Sequence, residues 1–445
     1  MSDPMLPNKW RAGVFSDIAD VNPAVAVAEL CADAPVSFLT MADVSESGRI
    51  LNHQIRPLCE VRAGFTRFEE DDVLFAKITP CMQNGKGAFA RKLSNQHGFG
   101  STEFHVLRAT EIGDAEFIYH LAQSSEVRSK AVTFFTGSAG QQRVDSKFFS
   151  CFNLLIPPLP QQRKIARILT TLDNVITQTE ALIAKYQAIK QGLMHDLLTY
   201  GMHEGRRQKT GVTPEGTPNR SLPVGWRIVS VAEIVSQARQ GIMTGPFGAQ
   251  LGTEDFIEEG VPVLRIGNVQ SGYLNLGDLQ YVSAQKAESL SRYRVIDGDL
   301  LFARSGATTG RNSLASKQVT GWLINYHIIR VAVDRQLCDP RFLFACFNAE
   351  LLQRQVNQEK GKGTREGINT QAIAGFRFPL PTIAEQHAIS DRLESVDVRI
   401  SREQQYASKL RQLKTGLMQD LLTGKVPVKA DEPEEAGKGG MKNGE

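Results

Sequence analysis

The runs DDVLFA (71–76) and GDLLFA (298–303) are each followed by a loop dense in hydrogen-bonding side chains. After the first come Lys77, Thr79, Gln83, Asn84 and Lys86; after the second come Arg304, Ser305, Thr308, Thr309 and Arg311. Two further loops hold Gln141, Gln142 and Arg143, and Lys362, Thr364 and Arg365, while Arg265 and Asn268 stand at the end of an expected strand. These side chains suit the edges of bases and the phosphates beside them: Arg bidentate to guanine, Asn or Gln bidentate to adenine, Lys, Ser or Thr to either base or phosphate. A solvated hairpin or a glycine turn has the same composition, so placement must decide. Phe247, in GPFGAQL, is expected in a core rather than at a base step, as most of the 22 phenylalanines are.

Chemistry of other kinds lacks its parts. No G-x-x-x-x-G-K-[ST] phosphate loop occurs, since GSAG (137–140) and GKGTREG (361–367) have the wrong spacing, and the eight histidines form no H-E-x-x-H pair. The Asn- or Asp-Pro-Pro-aromatic signature of an amino-methyltransferase is absent, IPPL (156–159) being the nearest match. Six cysteines (Cys31, Cys59, Cys81, Cys151, Cys338, Cys346) show no C-x-x-C spacing and are expected to be reduced and buried. No catalytic residue, no metal site and no cofactor bound by this chain is therefore expected.

The loops are positioned by a duplication. GLMHDLLT (192–199) recurs as GLMQDLLT (416–423), 224 positions on, and the same offset aligns Ile165 with Ile389, Leu169 with Leu393, Asp173 with Asp397 and Ile176 with Ile400. Upstream, PLP (158–160) pairs with PLP (379–381), TGSAGQQRV (136–144) with KGKGTREGI (360–368), VSFLTMADVSESG (36–48) with VPVLRIGNVQSG (261–272), and LPNKW (6–10) with LPVGW (222–226). Each half reads as a globular region of roughly 155 residues, large enough for its own core, followed by one long helix.

Both helices carry alternating four-three apolar spacing. Ile165, Leu169, Leu172, Ile176, Ile183, Tyr186, Ile189 and Leu193 are matched by Ile389, Leu393, Val396, Ile400, Ala407, Leu410, Leu413 and Leu417. Preceded by proline and followed by Gly201 and Gly424, the helices are about 38 residues and roughly 57 Å long. The nearest partner for either seam is the other copy, and the short connection at 201–221 favours an antiparallel pair, with the globular regions at opposite ends of a rigid spacer. The fold class is thus α+β: two tandem α/β domains separated by two long helices that form an intramolecular antiparallel coiled coil, with pseudo-two-fold symmetry. The divisions are 1–157, 158–200, 201–221 as linker, 222–380, 381–424, and a tail at 425–445 too polar to order itself. Two related but non-identical readers at fixed separation suit duplex DNA with spaced half-sites.

Composition restrains this little, because a net charge of +3 leaves 51 basic and 48 acidic residues free to segregate. Without an 18-residue apolar run or a signal-peptide pattern, a cytoplasmic location is expected. Leu197, Leu198, Leu421 and Leu422 are expected to lie unpaired at the helix ends until a partner covers them. Gly192 and Gly416 suggest either close approach of another backbone or a mild kink.

Taken in order, LPNKW and LPVGW, DDVLFAKITPCMQNGKGAFA (71–90), GFGSTEFHVLRA (98–109), GPFGAQLGTEDFIEEGVPVLRIGNV (245–269), IPPLPQQRKIARIL (156–169), PLPTIAEQHAI (379–389) and the twin octets resemble the specificity (S) subunit of a Type I restriction-modification system, over all but the tail. The resemblance implies two target-recognition domains, each reading half of a bipartite target. It implies a subunit without catalysis that recruits two adenine-N6 methyltransferase subunits and ATP-dependent restriction subunits, with S-adenosylmethionine, ATP and Mg2+ used by those partners. The helices would set the unread gap between half-sites and dock the methyltransferases. The first half has no counterpart of GPFGAQLGTEDF, so its half-site is expected to differ from the second. The rival class is a coiled-coil adaptor spacing two protein-binding modules, which would lack the steep salt dependence of phosphate neutralisation.

Overall fold

The computed structural model describes residues 9–26, 30–138, 141–202, 207–209, 221–360 and 367–429. Two compact units emerge, residues 1–181 with 404–445 and residues 182–403. Each contains one globular domain together with part of both long helices.

In the first unit a four-stranded antiparallel sheet runs in the order Ala19–Val21, Phe104–Ala109, Val73–Ala76, Gly87–Phe89. A second sheet runs Gln54–Pro57, Pro35–Leu39, His97–Gly100, Thr66–Glu69, with Pro35–Leu39 parallel to His97–Gly100. The second unit repeats the plan. One sheet is Ile242–Thr244, Ile328–Val331, Leu300–Ala303, Asn312–Leu314. The other is Phe256–Ile257, Gln280–Val282, Val261–Leu264, Leu323–Ile324, with Val261–Leu264 parallel to Leu323–Ile324.

The DDVLFA and GDLLFA runs are the central strands of matching sheets. All four of Val73–Ala76 and of Leu300–Ala303 are buried, which explains their unbroken apolar character. The acid before each run is a buried anchor: Asp72 takes two hydrogen bonds from Arg108 at 2.8 Å, and Asp299 takes two from Arg239 at 2.6 and 3.1 Å. The residue before that acid is left-handed in both copies, at φ 65° for Asp71 and 87° for Gly298.

The long helices span Leu159–Tyr200 and Ile383–Leu422. Each begins with a fully buried glutamine. Gln162 accepts from the Asp114 amide and donates to the Ile112 and Pro157 carbonyls, all at 2.9 Å. Gln386 does the same with the Asp339 amide at 2.9 Å and the Leu337 and Pro381 carbonyls at 3.2 and 2.9 Å. The tryptophans of LPNKW and LPVGW clamp the neighbouring positions, Trp10 donating to Gln161 at 2.7 Å and Trp226 to Glu385 at 3.0 Å. Thus the recurring PLP and tryptophan signals mark one joint between domain and helix, built twice.

The repeated octet has a specific job. Leu417, Met418, Leu421 and Leu422 pack into the core of the first unit with Trp10, while Leu193, Met194, Leu197 and Leu198 pack into that of the second with Trp226. Each helix therefore ends by plugging the core of the domain encoded by the other repeat. This corrects the expectation of unpaired helix ends: Leu197, Leu421 and Leu422 are buried and Leu198 half-buried within domain cores.

The helices pack antiparallel, but their seam is shorter than four heptads. In the first unit Leu172 and Ile176 meet Leu410 and Leu417, and Asp173 and Glu180 pair with Lys414 and Arg411 at 2.6 Å each. In the second, Lys190 pairs with Asp397 at 2.6 Å. Ile165 and Leu169 join the first domain core and Ile389 and Leu393 the second, while Ile400 is buried and Val396 half-buried. Ile189 and Leu413 are exposed at 45% and 52%, contrary to the seam assigned to them. Both follow the preceding seam residue, Tyr186 or Leu410, by three positions where the alternation requires four, so the slots facing the other helix fall on Lys190 and Lys414, the lysines that pair across it.

Other departures are local. The cysteines are free, but only Cys338 and Cys346 are buried; Cys31, Cys59 and Cys151 are exposed and Cys81 half-buried. At 201–221, strand Arg207–Lys209 pairs with Ser221–Pro223 where a plain linker was expected. At the start of the tail, Val428 packs on the first core; residues 430–445 lie outside the described residues. Outside their own helix turns, no atom of the described residues lies within 4 Å of where a Cβ of Gly192 or Gly416 would stand, so no described neighbouring backbone explains them.

Candidate nucleic-acid interface

In each domain the loop after the central strand is laced to the segment that leads into the short helix and last strand before the long helix. The Val144 amide donates to the Lys77 carbonyl at 2.9 Å, and the Thr79 amide to the Gln142 carbonyl at 2.9 Å. In the second domain the Ile368 amide donates to the Arg304 carbonyl at 2.8 Å, beside a bridge between Ser305 and Gly367. Lys77 and Arg304 also donate their amides to Glu103 and His327 in matching places, at 2.9 and 3.1 Å. Candidates far apart in sequence are thereby joined: the turn carrying Lys77, Thr79, Gln83, Asn84 and Lys86 with Gln142 and Arg143, and Arg304 and Ser305 with the bridge residue Gly367 and its neighbour Ile368. Lys362, Thr364 and Arg365 lie outside the described residues.

The backbone slots match, and the side chains in them do not. In the first domain Glu103 accepts from the Arg143 guanidinium at 2.7 and 2.9 Å, and that hydrogen bonding holds the Glu103 carboxyl below its ordinary value. In the second, the corresponding positions are His327 and Gly367, and Arg304 lies over the Tyr326 ring, 4.4 Å from its centroid. Tyr326 in turn contacts Phe247, with ring centroids 4.5 Å apart. His327 Nδ1 lies 3.1 Å from the Ser305 hydroxyl. Phe247 is 57% exposed, so the expected core position is not where it sits.

The remaining candidates divide by accessibility. Gln83, Asn84 and Gln141 are exposed, and Asn84 donates to Glu46 at 2.9 Å. Lys86 donates its ammonium to the Met41 carbonyl at 2.8 Å, and Arg311 donates to Gln270 at 2.9 Å. Arg311 shares a polar cleft with Asn348, Gln353 and Lys360. Thr308 and Thr309 donate back to the Ser305 and Gly306 carbonyls at 3.4 and 2.7 Å, and Thr309 is buried, closing the turn. Arg265 pairs with Asp278 at 2.7 Å. Asn268 is turned inward: it is buried, accepts from the Arg265 amide and donates to the Asn275 and Asp278 carbonyls, so its amide has no edge facing solvent.

Sequence reading missed Arg128. It is buried, and its guanidinium donates to the carbonyls of Met82, Lys86 and Gly85 at 3.0, 3.1 and 3.4 Å and of Ala122 at 2.8 Å, while lying 4.2 Å from the Phe75 ring centroid. Burial pushes its pKa down to about 9. In SEVRSKAV an arginine among charged neighbours reads as a helix surface; only the fold shows it gripping the turn that carries Gln83, Asn84 and Lys86. Among the described residues no group of three or more His, Cys, Asp or Glu is placed to hold a metal. Burial also raises the Cys338 and Cys346 thiols. No described helix is long and apolar enough to cross a membrane.

Comparison with known proteins agrees with the duplication. The family model for the Type I restriction modification DNA specificity domain matches twice, over residues 7–191 and 224–412. The chain is 30% identical to the specificity subunit of the Type I restriction enzyme EcoEI from Escherichia coli, over 87% of this chain and 78% of that one. It is 25% identical to the MjaVIII specificity subunit from Methanocaldococcus jannaschii, over 81% and 80% of the respective chains. Its fold resembles the crystal structure of a Type-I restriction-modification system S subunit from M. genitalium, with a TM-score of 0.57 at 12% identity, covering 95% of this chain and 98% of that one.

Proposed function

Because the chain belongs to the Type I restriction-modification DNA specificity family, and is a sequence-recognition subunit with no catalysis of its own, we propose how its two domains divide that work. The first domain reads one half of a bipartite, asymmetric target through the 77–86 turn and the 141–143 loop. The second reads the other half through the 304–311 turn, with Lys362, Thr364 and Arg365 as further candidates. The observation that carries this reading is the pair of matched backbone slots with unlike side chains, Glu103 and Arg143 against His327 and Gly367. A conserved frame with exchanged contents suits two readers of different sequences, since side chains discriminate bases while the frame fixes register.

The long helices set the gap between the half-sites and dock two methyltransferase subunits, to which restriction subunits add. S-adenosylmethionine, ATP and Mg2+ are used by those partners, in the cytoplasm. Arg265 and Arg311 are held for phosphate or base contacts, whereas Asn268 and Thr309 shape the loops beneath them.

The test is mapping of methylated adenines in cells carrying the system with Arg304 or Arg311 changed to alanine. A bidentate contact is worth about 1–3 kcal/mol. Reading of the second half-site is expected to relax or disappear with the first unchanged; alteration of both together would refute separate readers.

A further inference from the structure

Phe247 is held out from the surface by a built support. The chain leaves strand Ile242–Thr244 at Gly245, where an added Cβ would stand 2.3 Å from the Asn325 backbone, so only glycine passes this close to the turn carrying Tyr326 and His327. Pro246 is buried next to it. The Phe247 carbonyl then accepts from the Gln250 and Leu251 amides at 2.7 and 3.2 Å, closing the turn that displays its ring. Among the described residues the first domain has no such device: its equivalent edge strand ends at Val21, and Asn22 turns inward to accept from the Val106 amide at 3.0 Å.

An exposed phenyl group against Tyr326, the ring on which Arg304 also lies, supplies the apolar chemistry that a nucleic-acid reader needs besides hydrogen bonds. In the major groove the thymine methyl is the apolar feature, and arginine bidentate to guanine is the commonest polar contact. Stacking on Tyr326 restricts Arg304 to a small range of orientations, with its N–H edges left to a ligand.

We propose that Phe247, Tyr326 and Arg304 form a composite reader of the second half-site, in which Phe247 covers the 5-methyl group of a thymine next to the guanine bound by Arg304. Tyr326 is the positioning residue. The inference rests on the 304–311 turn facing DNA, and it adds a base and an atom to that reading.

The experiment uses the full chain assembled with its methyltransferase subunits, after the target has been mapped by methylated-adenine sequencing. Duplexes carrying the target are made with each thymine of the second half-site replaced in turn by uracil, which removes only the methyl. One such replacement is expected to weaken binding by about fourfold, the effect of exposing one methyl-sized group. That sensitivity should vanish in Phe247→Ala and persist in Phe247→Leu, while uracil in the first half-site acts equally on all three proteins. A second half-site without thymine, or a uracil effect of the same size in wild type and Phe247→Ala, would overturn the proposal. Arg304→Ala separates the levels: if it spares the second half-site, the turn does not face DNA and both readings fall. If it abolishes that half-site while Phe247→Ala keeps its uracil sensitivity, only the methyl contact falls.

Discussion

Replacing Arg128 by methionine should loosen the first reader and leave the second intact. Methionine fills much of the arginine volume but donates no hydrogen bond. The carbonyls of Met82, Gly85, Lys86 and Ala122 would all lose the guanidinium that now reaches them at 2.8–3.4 Å. Hydrogen bonds from a charged donor are each worth roughly 1.5–3 kcal/mol, but burying the guanidinium without a carboxylate costs several kcal/mol that methionine recovers. The net loss of stability should be about 2–4 kcal/mol, confined to the first unit. Arg128→Lys, with a single ammonium in place of a planar fork, should fall between methionine and wild type. Amide hydrogen exchange resolves the effect: faster exchange at residues 82–86, with the 304–311 turn unchanged. Methylated-site mapping should then show relaxed reading of one half-site only. Unchanged exchange at 82–86 in a folded Arg128→Met protein would refute the idea that this arginine holds the turn.

Further expectations concern the helices and their joints. Burial lowers the His120 pKa to about 3, from an ordinary value near 6.5, and burial lowers His105 in the same direction. The unfolded chain therefore binds more protons below pH 6.5, so the first unit should lose up to about 1.4 kcal/mol of stability per pH unit for His120 as pH falls from 6.5 towards 3; chemical denaturation at several pH values should show a shallower slope in His120→Asn. Gly192→Ala and Gly416→Ala meet open space and should each stabilise the isolated chain by about 1 kcal/mol, while pull-down should show weaker methyltransferase assembly if a partner backbone occupies that space. A four-residue insertion near Thr179, in register with the seam, lengthens a helix by roughly 6 Å and should widen the methylated gap by one or two base pairs without changing either half-site.

The parts of the fold that were legible in the sequence are those governed by short-range pattern. Four-three spacing marked the two long helices, and the duplication, with small insertions upstream of the helices, paired DDVLFA with GDLLFA, whose strands indeed occupy the same sheet position. What stayed hidden depends on where a side chain points after folding. Asn268 has the composition of a base reader, yet its amide is enclosed by the backbone of its own loop. Phe247 has the composition of a core residue, yet Gly245 and Pro246 hold it in solvent. The twin glutamines Gln162 and Gln386 could have been noticed five residues after Pro157 and Pro381, but an amide inside a helix pattern carries no signal of burial. Ile189 and Leu413 stand one residue short of the four-three slots, which fall on Lys190 and Lys414, and it is those lysines that reach across the helix pair to Asp397 and Asp173 while the two apolar side chains face outward.

The central claim is that each domain reads its own half of the target. It is tested most directly by replacing residues 1–157 with the corresponding segment of a relative of known, different target, and mapping methylated adenines in cells that carry the hybrid. A hybrid target is expected, with the donor's first half joined to this protein's unaltered second half. An active hybrid in which the second half also changed, or in which the first half stayed as it was, would contradict it.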